Sequence, residues 1–96
     1  MELHQLIETV EDEKSFLAFV QALREDRELD VEAEAKQQSN PYGPTSRGWE
    51  NTTIESFLEA AQAWAESSDF GARQNLGQAS PWRKFAEFLY CGKIYE

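Results

Sequence analysis

The sequence predicts an all-α fold: a small single domain of about four helices, with a Pro/Gly-rich loop between the second and third. Three observations carry this reading. Apolar residues recur at helical period in four separate stretches, helix-start signals stand ahead of three of them, and clusters of Pro and Gly separate the second, third and fourth. The chain of 96 residues has room for one hydrophobic core and no second one, so residues 1–96 form one domain. Its apolar fraction of 41%, with 12% aromatic, is enough for a packed interior.

The elements follow in order. Leu3, Leu6, Ile7 and Val10 fall at helical spacing, giving a first amphipathic segment too short to be stable alone and therefore dependent on packing. Asp12 can accept from the amides of a new helix, and Phe16, Phe19, Val20 and Leu23 then lie within an arc of about 100°. The continuation from Glu25 to Gln38 is rich in Glu, Ala, Lys and Gln, and is expected to be a solvent-facing extension of this second helix. Ser39 to Gly48 contains two Pro and two Gly and reads as a loop, within a variable stretch over 37–48.

Thr52-Thr53-Ile54-Glu55 matches a capping box, with Asn51 as an alternative cap. Ile54, Phe57, Leu58, Ala61, Trp64 and Ala65 follow on an arc of about 120°, predicting a third helix that ends between Ser67 and Gly71. Phe70 to Ala79 reads as a second loop. Ser80-Pro81 starts a fourth helix, because Ser caps and Pro tolerates the first helical position. Trp82, Phe85, Ala86 and Leu89 form its inner stripe, and Phe88 and Tyr90 widen the apolar arc to about 200°, more than one neighbour normally covers. Gly92 is expected to stop the helix in the left-handed conformation, with Ile94 and Tyr95 folding back onto it.

The formal charge of -9 is unevenly placed: residues 1–36 hold 11 acidic and 4 basic side chains. No basic cluster exceeds the pair Arg83-Lys84, which argues against nucleic-acid binding. The same charge opposes an anionic membrane surface and favours a basic protein partner. No stretch approaches the roughly 18 consecutive apolar residues of a membrane span, and with one cysteine, Cys91, and no leader pattern at Met1-Glu2-Leu3-His4, a soluble cytoplasmic protein is expected.

No cofactor or metal site is expected: only His4 and Cys91 are available as softer ligands, which excludes a structural zinc. Cys91 near a helix end reads as a small, partly buried apolar residue, and His4 as a solvated surface residue. A Ser-His-Asp set would have to recruit His4, and no phosphate-cradling glycine loop is present, so no catalytic residue is assigned. Among the tryptophans, Trp64 and Trp82 belong to core stripes. Trp49 either staples the entrance of the third helix or stands as a partner anchor. Trp49, Phe88 and Tyr90 are accordingly the candidate partner contacts.

Trp49-Glu50-Asn51 with Thr53, Phe57-Leu58-Glu59-Ala60 with Ala63-Trp64, Trp82 with Phe85-Ala86 and Leu89, and the closing Lys93-Ile94-Tyr95-Glu96 together resemble a bacterial family of small acidic proteins classed only as a domain of unknown function. The resemblance implies no activity, cofactor or catalytic residue. By analogy with small acidic proteins near bacterial toxin-immunity genes, it favours a binding role. Three functions compete: a protein-interaction module of immunity or regulatory type, a small metal-assisted carboxylate enzyme, and a structural or oligomer-forming protein. Charge, surplus aromatic surface and the lack of catalytic groups support the first.

Overall fold

A computed structural model describes residues 1–37, 43–74 and 76–95. They form α1 (Leu3–Ile7), α2 (Glu13–Lys36), α3 (Ile54–Ser67), a 3-10 turn (Ala72–Gln74) and α4 (Pro81–Ile94), with no strand among the described residues. The expected all-α domain of four helices is what is found. Positions 38–42 of the Pro/Gly-rich loop, together with Asn75 and Glu96, lie outside the described residues.

The helix starts follow from side-chain chemistry. Asp12 Oδ1 accepts from the Ser15 amide at 2.8 Å, and Ser80 Oγ accepts from the Arg83 amide at 3.2 Å with Pro81 behind it. At α3 the cap is one residue later than the sequence suggested. Thr53 Oγ1 accepts from the Ser56 amide at 3.1 Å, and Ser56 rather than Glu55 completes the box. Asn51 is not a cap of α3, because its amide group serves the end of α4.

α4 is the central element, packing most extensively on α3 and also on α2 and α1. Ile7, Val10, Phe19, Leu23, Trp49 and Ala86 form one buried cluster, and Trp64, Leu76 and Cys91 form a second on the other flank. This arrangement accounts for the wide apolar arc of α4. Tyr90 lies on the flank shared with α1, and Phe88 on the flank covered by the segment after α3.

Two expectations about helix faces are corrected. Ile54 and Leu58 are 78% and 52% exposed, and Phe57, Ala60, Ala61 and Trp64 face α4 instead, a rotation of about 50° from the expected stripe. The cause is close approach through small residues. Gly92 does not terminate α4; it lies buried inside it, and a Cβ there would come within 2.6 Å of the Phe57 ring. Phe85, placed in the inner stripe by its spacing, is 46% exposed.

The segment after α3 turns sharply through Asp69, Phe70 and Gly71, all left-handed at φ 53°, 50° and 86°. Left-handed backbone costs about 1–2 kcal/mol at each non-glycine residue, so it must be held. Ser68 Oγ donates to the Trp64 carbonyl at 2.6 Å and accepts from the Gly71 amide at 2.9 Å. Phe70 then stacks on Phe88 at 5.6 Å and meets Trp64 edge-on at 5.7 Å.

Candidate functional site around Trp49

The apolar stripe of α2 ends at Leu23, but the helix face does not. Asp26, Asp30 and Glu34 continue along it at spacings of four, placing three carboxylates where a core residue would otherwise stand. What they meet is the loop entering α3. Glu34 Oε1 accepts from the Ser46 amide at 2.8 Å, and Asp30 Oδ1 accepts from the Arg47 amide at 3.1 Å. The expected solvent-facing extension is therefore half internal, because its acidic face binds backbone amides of the chain itself.

Asp30 is fully buried and its other oxygen accepts from Arg27 Nη1 at 2.7 Å. Asp26 is the hub. It accepts from Trp49 Nε1 at 2.9 Å, Lys93 Nζ at 2.8 Å and Arg47 Nη2 at 2.7 Å. Burial alone would push the Asp26 carboxyl up, but the bonds from Lys93, Arg47 and Trp49 outweigh it and hold it below its ordinary value. Lys93, 7% exposed, lies 5.5 Å from the Trp49 ring centroid, and the Arg27 guanidinium lies 5.6 Å from it. Trp49 also stacks on Phe57 at 6.2 Å.

The carboxyl end of α4 is locked to the same knot. Asn51 Nδ2 donates to the carbonyls of Gly92 and Tyr95 at 3.0 and 2.8 Å, and the Glu50 amide donates to the Lys93 carbonyl at 2.9 Å. The closing residues are thus held by Lys93 and the Tyr95 backbone, while Ile94 stays exposed.

The three candidate contacts are not brought together on one surface. Trp49 is buried, stacks on Phe57, and lines a groove of about 360 Å³ together with Arg27, Ile54, Phe57 and Leu58. Phe88 is half-buried against Phe70. Tyr90 lines a different groove, of about 500 Å³, with Leu3, His4, Glu25, Asp26, Arg47 and Lys93. There its phenol is pushed up by burial first and then by Glu87, Cys91, Glu2 and Asp26.

Sequence reasoning missed Asp26, Asp30 and Lys93. The available signal was acidic residues continuing the register of an apolar stripe, a pattern that demands a paired or hydrogen-bonded partner. Chemically, the knot holds structure: Asp26 carries three donors, and Cys91 is buried with its thiol pushed up to about 12, chiefly by burial, which removes it as a nucleophile. Among the described residues no group of three or more His, Cys, Asp or Glu could hold a metal ion, and no helix is long and apolar enough to cross a membrane.

No curated protein and no solved structure matches the chain. Residues 12–96, from the cap of α2 through the Trp49 knot to the end of α4, match the model of a family of unknown function, DUF7660, and the chain belongs to that family.

Proposed function

We propose that the chain is a protein-interaction module that captures a basic partner in the cytoplasm, in an immunity-type or regulatory role, with the outer face of α2. The observation that carries this is the division of labour among the carboxylates of α2. Asp26, Asp30 and Glu34 bind the chain's own loop, whereas Glu25, Glu28 and Glu32 share one exposed face. Glu28 is paired with Arg24 at 3.8 Å, an exposed ion pair of little strength, so the three carboxylates keep a weak mutual repulsion on this face. A basic surface would relieve that repulsion and be steered toward it.

Capture from native lysate tests the reading, with Glu25→Lys/Glu28→Lys/Glu32→Lys as the control bait. A basic protein retained by the wild type, eluted by salt and lost from the charge-reversed bait is the expected result. Equal retention by both baits would refute it.

A further inference from the structure

The groove of about 500 Å³ beside Tyr90 lies among α1, α2 and α4, and its volume is in the range of small-molecule sites. Its lining carries both signs of charge, in different places. Near the carboxyl end of α4, Arg47 and Lys93 both bond Asp26, so two cations share one carboxylate and one positive charge has no ion-pair partner among the described residues. Lys93 is buried, its ammonium has three N–H donors, and Asp26 accepts from it at 2.8 Å. A buried cation with spare donors is costly unless something else accepts from it. Ser46, beside Arg47, adds a hydroxyl to this part of the lining.

The carboxylates of Glu2 and Glu25 line the same groove from α1 and α2. Among the described residues they meet neutral amides rather than cations, Glu2 the backbone of α1 and Glu25 the Gln21 side chain at 3.0 Å. Tyr90 stands one turn before Lys93 on α4. Its phenol is raised by burial and then by Glu87, Cys91, Glu2 and Asp26, with no cation opposing them, so the field at this end of the groove is negative. Leu3, Ala22 and half-exposed Leu29 supply apolar wall.

We propose that this groove binds a small aliphatic amino acid as its zwitterion. The ligand carboxylate falls on Arg47, Lys93 and Ser46, its ammonium on Glu2, Glu25 and the Tyr90 hydroxyl oxygen, and its side chain against the apolar wall. A simple anion would face Glu2 and Glu25 without a counter-charge, and a simple cation would face Arg47 and Lys93, whereas a ligand carrying both charges complements both. This site goes beyond the interaction role and shares only Glu25 with the acidic face of α2.

The probe is free leucine, titrated into the full chain by calorimetry and by nuclear magnetic resonance of the Tyr90 ring and the Ser46 and Lys93 signals. Saturable one-to-one binding is expected, with shifts at all three residues. N-acetylleucine and leucinamide each lack one of the two charges, and both should bind at least about tenfold more weakly. Glu25→Gln is exposed and outside the Asp26 knot, so circular dichroism should be unchanged. It should weaken leucine at least about tenfold while leaving the weak binding of N-acetylleucine, which has no ammonium, as it was. No saturable binding up to about 10 mM leucine would overturn the inference. So would either blocked analogue binding as tightly as leucine, or Glu25→Gln without effect. Glu28→Lys/Glu32→Lys lies outside the groove lining and should leave leucine binding intact, so the acidic interaction surface and this site can fail independently.

Discussion

Replacing Asp26 by Ala tests whether the Trp49 knot is structural in the way its geometry implies. The substitution leaves Lys93, 7% exposed, without its 2.8 Å partner and removes the acceptor of a buried indole N–H. Removing one member of a buried ion pair costs about 3–5 kcal/mol, and an orphaned buried donor adds about 1–3 kcal/mol. Arg47, half exposed, can turn to water and adds little. A loss of at least about 3 kcal/mol is expected, a large part of the roughly 5–15 kcal/mol that stabilises a domain. At about 4–8 °C per kcal/mol for this size, the melting temperature should fall by at least about 12 °C in calorimetry. The pair Asp26→Leu/Lys93→Met, which removes both charges, should lose less than the single change.

The pH dependence has a definite sign. Because folding lowers the Asp26 pKa, its contribution is intact above the unfolded carboxylate value of about 4 and is lost as pH falls through the lower folded value. The gap between wild type and Asp26→Ala should therefore narrow only in acid below about pH 4. A single-variant loss below about 1 kcal/mol, as for a surface pair, would refute the reasoning.

Gly92→Ala should destabilise by about 1–3 kcal/mol although Ala favours helix, since its Cβ would meet the Phe57 ring at 2.6 Å; an unchanged urea midpoint would contradict the close α3–α4 approach. Phe88→Asp should lower the melting temperature by disrupting the stack on Phe70, with circular dichroism reporting lost helix at a lower temperature; a variant melting like wild type would show that this flank is free. Glu87→Gln should raise stability at pH 7, because burial raises the Glu87 pKa and so penalises its ionised form, Arg83 offsetting only part. That gain should vanish below about pH 4, where the wild-type carboxyl is protonated in both states; a gain that persists there has another cause.

Where helices begin and which stretches form them is legible before any fold is known, because caps and periodicity are local. Asp12 and Ser80-Pro81 offer hydrogen bonds to amides within three residues, and Phe16 to Leu23 share one face whatever surrounds them. Composition also limited the chemistry, since one His and one Cys are counted without a fold. Tertiary structure decided which face of each helix is inside. Ile54 and Leu58 lost their expected burial because Gly92, Ala60 and Ala61 allow α3 and α4 to approach closely, and which small residues oppose each other is a property of two helices, not one. The same holds for Asp26. Its register on α2 was legible, but its partners Arg47, Trp49 and Lys93 lie 21, 23 and 67 positions away, and only the packed chain brings three donors to one carboxylate.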